Sequence, residues 1–109
     1  MTQLRNLPEE TAAALSELIS VRKNQVVSMA FTRGNGTSMT LLAFAEGEDV
    51  SEEQYFGDTL YYAVEGEAVI CRGDRDIPLR CGEVLMVPAG TLHGVRGRGA
   101  FKILQIILG

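Results

Sequence analysis

The sequence has 109 residues, 46% of them hydrophobic, and a formal net charge of −4 with one histidine and two cysteines. A chain of this length is expected to form one domain over residues 1–109, with a single hydrophobic core. The negative charge argues against nucleic acid as the main partner, because phosphate binding requires a basic face. No apolar run reaches the ~18 residues of a membrane span, and no secretory hydrophobic stretch follows the N-terminus. We therefore expect a cytoplasmic protein that binds neither nucleic acid nor membranes.

Residues 8–20 are predicted to form a short N-terminal α-helix. Pro8 suits a first helical turn, and Glu9 and Glu10 lie where the helix dipole favours negative charge. The apolar residues of this segment recur at intervals of three and four: Ala12, Leu15, Leu18 and Ile19. Such a stripe predicts a helix that packs against the outside of the domain.

From residue 25 the hydrophobic period changes to two, which predicts β-strands. Short apolar segments recur with turns between them, a pattern typical of a β-sandwich or barrel. They lie at residues 26–31, 39–45, 59–71 with a break at Gly66, 77–80, 84–87, 94–96 and 101–108. Residues 46–58 carry six acidic and no basic side chains and are predicted to be a loop. This loop is either a solvated rim or a mouth that attracts cations.

The two cysteines are predicted to remain unpaired. If Gly73 and Asp74 form a hairpin turn, Cys71 faces Asp76, and Cys81 lies several residues further along the partner strand. A disulfide requires Cα atoms within about 7 Å, so we expect two buried free thiols.

The stretch from Gly82 to His93 has a distinctive spacing: Gly82, five residues, Pro88, one residue, Gly90, two residues, His93. An apolar strand ends at Pro88, which cannot donate to a sheet ladder, and Gly90 is free to take positive φ in the following turn. This spacing resembles the second motif of the cupin superfamily, in which the histidine points into a small β-barrel and binds a metal. The motif continues with an Asn where this chain has Gly97.

The first cupin motif is present as a skeleton from Gly47 to Gly66. Its three metal ligands are replaced, because Glu53, Tyr55 and Thr59 stand where the family has His, His and Glu. The resemblance covers about residues 38–108. It implies an all-β fold, a cupin-type jelly-roll β-barrel at about residues 25–108, to which the N-terminal helix is added.

The motif positions define a candidate ligand site. If residues 53, 55 and 59 face the barrel interior, Tyr61 does so too, because strand side chains alternate between faces. We expect Glu53 and His93 to hydrogen-bond, or to share an ion or a water. The predicted ligand-binding residues are His93, Tyr61, Tyr55, Glu53 and Thr59, with Met86 or Leu85 as an apolar wall.

Metal ligands are scarce at this site. A catalytic zinc normally has three protein ligands, and non-haem iron often has two histidines and a carboxylate. Here one imidazole and one carboxylate are available, His93 and Glu53. We expect little or no zinc, iron, nickel or manganese; any metal that is bound should have these two residues as ligands.

Two functions remain open. The first is the binding of a small organic ligand inside the barrel. The alternative is a cupin enzyme, either metal-dependent or an acid–base isomerase, epimerase or lyase. In the acid–base case His93 would act with Glu53 or Tyr61, since an imidazole titrates near neutrality.

A homodimer is also expected. Residues 26–31, 39–45 and 103–108 are apolar on both strand faces, which is more apolar surface than the interior of a small barrel can cover. Large exposed apolar surfaces usually mark interfaces, and two-fold dimers are the commonest oligomers.

Overall fold

The computed structural model describes residues 3–34 and 36–109, and within them it has seven antiparallel strands. The all-β prediction is therefore confirmed. The strands are β1 (Val26–Ala30), β2 (Ser38–Phe44), β3 (Val50–Glu53), β4 (Thr59–Arg72), β5 (Arg75–Arg80), β6 (Val84–Val87) and β7 (His93–Ile107). No helix among the described residues is long and apolar enough to cross a membrane.

Two long strands build the barrel. The first half of β4, residues 59–63, pairs with β6 and with residues 103–107 of β7. The second half, residues 67–71, pairs with β5 and with residues 94–98 of β7. The pairing register shifts between the halves. Each long strand thus contributes to two sheets: a first sheet in the order β1-β2-β7-β4-β6 and a second sheet in the order β3-β7-β4-β5.

Glycines allow the two long strands to bend where they pass between the sheets. Gly66 has a φ of 73°, a conformation that L-residues with side chains rarely adopt. A Cβ at Gly97 would lie 2.3 Å from Cδ1 of Phe101 and 2.8 Å from the carbonyl oxygen of Glu67. The ring of Phe101 therefore fills the space of a side chain at position 97, which explains why this chain has glycine where the cupin motif has Asn.

Apolar side chains fill the barrel interior. Phe44 and Phe101 stack with ring centroids 4.4 Å apart and planes inclined by 11°. The buried interior cluster consists of Phe44, Tyr61, Ala63, Ala68, Ile70, Leu79, Val87, Val95, Phe101 and Ile103. Strand β7 bends near Gly97, and its two termini meet at the opposite end of the barrel. We call the end with the glycine bends the bend end (Gly66, Gly97, Phe44 and Phe101). We call the opposite end the mouth end (Thr59, Tyr61, His93 and Gln105).

The predicted α-helix at residues 8–20 is wrong: this segment contains only a 3₁₀ turn, Leu15–Glu17. The N-cap residue, Ala14, makes no side-chain capping bond. In addition, Lys102 donates from Nζ to the carbonyl oxygen of Ser16 at 2.6 Å, an acceptor that an α-helix would use internally.

The predicted position of the N-terminal segment outside the barrel is correct. Its apolar residues pack on the outer face of β1 and β2, against Phe31, Leu41 and Ala43. Half-buried Leu15 and Leu18 and buried Ile19 belong to this outer cluster. The recurring apolar residues thus indicated burial without requiring helical geometry.

The acidic segment 46–58 is not all loop, because β3 lies within it. Val50 pairs with Val95 and Glu53 with His93 along the edge of the second sheet. Only Val50 packs against the interior, while Ser51, Glu52 and Glu53 are exposed. A strand with one apolar contact has no periodic signal, so its pairing with β7 determines its conformation.

The predicted pairing of Cys71 with Asp76 is confirmed, and both cysteines are free. The expected burial of the thiols is wrong, because Cys81 is exposed and Cys71 half-buried. Ile70 faces inward, so alternation places Cys71 on the outer face of the second sheet. There Nε of Arg96 donates to its Sγ at 3.2 Å.

Candidate functional site at the mouth end of the barrel

Tyr61 and His93 form a buried polar pair at the mouth end. Tyr61 lies on the inward face of β4 with 1% of its surface exposed, and His93, the first residue of β7, has 2% exposed. The Tyr61 hydroxyl oxygen is 2.8 Å from Nε2 of His93. The Nε2 of Gln105 donates to the same hydroxyl at 3.1 Å. Both ends of the bent strand β7 thus contact Tyr61.

The partners of His93 define its tautomer. Nδ1 lies 2.8 Å from the carbonyl oxygen of Thr91, which can only accept, so Nδ1 carries a proton. The Tyr61 hydroxyl can accept from Gln105 and donate its own proton to Nε2. With the proton of the ring on Nδ1, Nε2 is then the acceptor of this bond. The result is a continuous chain from the Gln105 amide through the Tyr61 hydroxyl and the His93 ring to the Thr91 carbonyl.

The environment of Tyr61 keeps its phenol protonated. Burial, the largest effect, raises the pKa of Tyr61 to about 12. The hydrogen bond from Gln105 lowers this pKa, while the nearby Tyr55 and Glu53 raise it further. Tyr61 is therefore a hydrogen-bond donor throughout the physiological pH range.

Tyr55 connects the buried pair to the surface. Its ring meets the His93 ring edge-on, with centroids 5.7 Å apart, and its hydroxyl donates to Oε2 of Glu53 at 2.8 Å. Burial raises the pKa of Tyr55, and the hydrogen bond to Glu53 raises it further. The same half-exposed residue lines a surface cavity.

This mouth cavity has a volume of about 380 Å³ and is formed by two loops. One loop contributes Gln54, Tyr55 and Phe56, and the other contributes Ala89 and Gly90. The loops are joined by hydrogen bonds, from the Gly90 N–H to the Tyr55 carbonyl at 2.9 Å and from the Ala89 N–H to Oδ1 of Asp58 at 2.8 Å. Phe56 is fully exposed, although large aromatic side chains are usually at least partly buried.

The structure places four of the predicted site residues at the mouth end: His93, Tyr61, Tyr55 and Thr59. Thr59 is buried, and its hydroxyl donates to the carbonyl of Gly57 at 3.5 Å. Thr59 therefore stabilises the loop that precedes β4. It does not hydrogen-bond to His93, whose ring nitrogens contact Tyr61 and Thr91.

The direct hydrogen bond expected between Glu53 and His93 is not made. Glu53 is the backbone partner of His93, and such cross-strand pairs share a face of the sheet. Its side chain is nevertheless exposed, and its carboxylate accepts from Tyr55. Both ring nitrogens of His93 are used by Tyr61 and Thr91. Glu53 therefore reaches His93 through Tyr55.

The placement of Met86 in the site is wrong. Met86 pairs with Leu60 and is 57% exposed on the outer face of the first sheet. Its neighbour Leu85 pairs with Tyr61 and packs against the interior, as strand alternation requires once Tyr61 faces inward.

Two residues of the mouth were not predicted, Gln105 and Phe56. Alternation along β7 from inward Ile103 would have placed Gln105 in the interior, where a polar side chain between isoleucines is conspicuous. Phe56 is the only aromatic residue besides Tyr55 in the acidic segment, a signal of composition alone.

The fold and the mouth together define a class of protein: a jelly-roll β-barrel with a polar cluster at one end. The model of the cupin domain family matches residues 40–107. This match covers more than half of the chain, which therefore belongs to the cupin superfamily.

Solved structures and a sequence relative agree with this assignment. A cupin superfamily protein from Desulfitobacterium hafniense DCB-2 is 50% identical, with a TM-score of 0.95 over 98% of both chains. A conserved protein of unknown function from Streptococcus pyogenes has the same fold, with a TM-score of 0.94 at 18% identity over 99% of this chain and 95% of its own. An uncharacterised protein from Streptomyces coelicolor is 32% identical over 83 residues, 75% of this chain and 79% of the relative.

The described residues do not fit the metal centre that the cupin motifs imply. No group of three His, Cys, Asp or Glu side chains in residues 3–34 and 36–109 is arranged to hold an ion. Both nitrogens of His93 are engaged, and Tyr61, protonated far above neutral pH, is a poor ligand. A hydrogen-bonded chain stands where the family's motif places metal ligands.

Proposed function

We propose that this cupin binds a small organic molecule at the mouth end of its barrel, without a metal. The observation that carries the proposal is the position of Tyr55, whose ring both lines the mouth cavity and contacts His93. A molecule in the cavity would rest on Tyr55 and Phe56, above the hydrogen-bonded pair of Tyr61 and His93. An apolar cavity wall with a few convergent polar groups is the usual form of a small-molecule site.

The experiment for this proposal is a fragment screen by saturation-transfer NMR, with hits mapped by ¹H–¹⁵N spectra. We expect the bound fragments to shift the amide resonances of residues 54–56 and 89–90. The substitution Phe56→Ala should weaken the binding of these fragments. Val26→Ala is the matched control, since Val26 is also an exposed apolar residue but lies at the start of β1. The proposal fails if the hits map elsewhere or if both variants weaken binding equally.

As a second part of this function, the protein is expected to carry little or no bound metal. Purified without added metal, the protein should contain well below one equivalent of zinc, iron, nickel or manganese by elemental analysis. A stoichiometric metal that is lost in His93→Ala would place an ion on this residue and contradict the proposal.

Acid–base catalysis is a second candidate function, favoured by the hydrogen bond between Tyr61 and His93. His93 would accept the Tyr61 proton at Nε2 while the Tyr61 oxygen takes a proton from the bound molecule, and the reverse transfer would return a proton to that molecule. Such chemistry would exchange a C–H proton of a bound fragment for deuterium in D₂O. Exchange that disappears in Tyr61→Phe supports an enzyme, whereas binding without exchange supports the binding function alone.

We further propose that the protein acts as a homodimer, through a surface that includes part of residues 103–108 but not the other two segments that the sequence suggested. The N-terminal segment covers the outer face of β1 and β2. The outer face of β6 and β4 remains open, with Val84 63%, Met86 57% and Leu60 38% exposed. These side chains lie in cross-strand rows, since Met86 pairs with Leu60 and Leu60 with Ile106. They carry no charge, so two copies can meet there without like-charge repulsion despite the net charge of −4.

Sedimentation velocity tests the dimer. The chain has a mass of 11.8 kDa, so the proposal expects twice this mass at micromolar concentration and the single-chain mass for Leu60→Glu. The matched control is Gln25→Glu, which adds the same charge at an exposed site outside this face. A wild-type protein that sediments as a single chain would refute the dimer.

A further inference from the structure

On each wall of the mouth cavity, a lining residue donates a hydrogen bond to a carboxylate. The carboxylate of Glu53 accepts from the hydroxyl of Tyr55 at 2.8 Å. On the other wall, the carboxylate of Asp58 accepts from the backbone N–H of Ala89 at 2.8 Å. Tyr55 and Ala89 both line the cavity. Both walls are therefore hydrogen-bonded to an acidic side chain.

No basic residue lies near these carboxylates in the sequence. The sequence has no Lys or Arg in residues 34–71 or 81–95, and these two stretches contain every residue that lines the cavity. Three arginines of the second sheet pair with acids on its outer face. Arg80 and Arg98 contact Glu67 at 3.4 and 3.6 Å, and Arg96 pairs with Asp76. The sequence that forms the mouth is therefore acidic and without basic residues, a charge pattern that favours cations.

The walls themselves suit an organic cation better than a hydrated metal ion. Phe56 is fully exposed and Tyr55 half-exposed beside it, so two aromatic rings are available to a molecule in the cavity. Ring faces attract ammonium and guanidinium groups. The carboxylates are engaged by Tyr55 and Ala89 and do not converge with a third ligand in the described chain.

We propose that the mouth cavity takes a small organic cation, an ammonium or amidinium group on an apolar body, and rejects carboxylates and phosphates. This inference rests on the proposed function, that is, on ligand binding at the mouth. The apolar body would pack on Phe56 and Tyr55, and the cationic group would lie toward Glu53. Glu53 is thus a specificity-determining residue.

Three probes of one shape test the ligand class: benzylamine, benzyl alcohol and benzoate, which differ chiefly in charge at neutral pH. Each is titrated into the ¹⁵N-labelled protein at low salt while the amides of residues 54–56 and 89–90 are followed. We expect benzylamine to bind about tenfold more tightly than benzoate, with benzyl alcohol between them. Added NaCl should weaken the binding of benzylamine and leave the binding of benzyl alcohol unchanged, because salt screens exposed charges.

The outcomes separate the two proposals. If benzoate or benzyl alcohol binds at the mouth as tightly as benzylamine, the inference of a cationic ligand is overturned and the binding function stands. If none of the three probes shifts the mouth amides at millimolar concentration, both are overturned.

A charge-neutral variant assigns the effect to one carboxylate. Glu53→Gln should weaken the binding of benzylamine about three- to fivefold, as expected for an exposed ion pair, and that of benzyl alcohol clearly less. Glu46→Gln is the matched control, since it removes the same charge from an exposed position of the same acidic segment. Equal effects of the two variants would overturn the role of Glu53 and leave only the general field of the acidic segment.

Discussion

The two ends of the barrel interior are built on the same strands but are filled differently, one by apolar rings and the other by hydrogen-bonded polar groups. At the bend end, Phe44 and Phe101 stack 4.4 Å apart, and a glycine leaves room for the ring. At the mouth end, one hydroxyl, one imidazole and one amide satisfy each other through hydrogen bonds. Phe101 and Gln105 are four positions apart along β7, a distance of about 13 Å.

The difference shows which end is available for function. Stacked rings exclude water and stabilise the fold in proportion to the apolar area they bury. A buried polar chain contributes less net stability, because its groups also hydrogen-bond to water in the unfolded chain. The mouth end is thus the part of the interior where stability alone does not account for the residues chosen.

The largest expected effect is at the bend end. Phe101→Ala should lower the free energy of unfolding by about 3–5 kcal/mol, because it removes a buried ring and leaves a cavity. Denaturant unfolding measures this change. Phe56→Ala is the matched control, since the same atoms are removed from a fully exposed side chain. It should change the stability by less than about 0.5 kcal/mol. Equal losses would abolish the distinction between the two ends.

A smaller loss is expected at the mouth end. Tyr61→Phe removes only the hydroxyl and leaves Nε2 of His93 and the amide of Gln105 without this partner, at a cost of about 1–3 kcal/mol. Tyr62→Phe removes the same group from the neighbouring residue, whose side chain lies on the outer face of the barrel. A stability of Tyr61→Phe equal to that of wild type would show that the buried chain contributes nothing to the fold.

The smallest effect is confined to high pH. The pKa of Tyr61 is about 12 in the folded protein, against 10.0 for an unperturbed tyrosine, so the unfolded chain loses this proton first. The contribution of Tyr61 to stability is therefore complete below pH 10 and declines as the pH rises from 10 toward 12. Unfolding of wild type and Tyr61→Phe should show a stability difference that shrinks over this range. A difference that grows with pH would contradict the burial of a neutral phenol.

Much of the fold could be predicted because its signals are local. The Pro88 and Gly90 spacing and the period-two segments identified most strands, and alternation correctly placed Tyr61 in the interior. The N-terminal helix failed for a tertiary reason, since Lys102, some 86 residues away, captures the Ser16 carbonyl. β3 was missed because its pairing with β7, and not its own composition, makes it a strand.

The candidate site was predicted less well, because the choice of hydrogen-bond partners is not encoded by spacing. Glu53 was expected beside His93 and is its backbone partner, yet its carboxylate is engaged by Tyr55 two residues later. The prediction that Met86 lines the site was wrong by one position, because neighbouring residues of a strand point to opposite faces. Gln105 lay outside both motifs, although alternation would have placed it correctly.

The central claim is that His93 accepts the Tyr61 hydroxyl bond at Nε2, in the place where the cupin motif puts a metal ligand. The chain has a single histidine, so ¹⁵N-histidine labelling of the tag-free protein gives one ring to follow by NMR. At neutral pH we predict a protonated Nδ1 and an unprotonated Nε2, both unchanged by one equivalent of Zn²⁺. A protonated Nε2, or a zinc-induced shift of that nitrogen, would contradict the account.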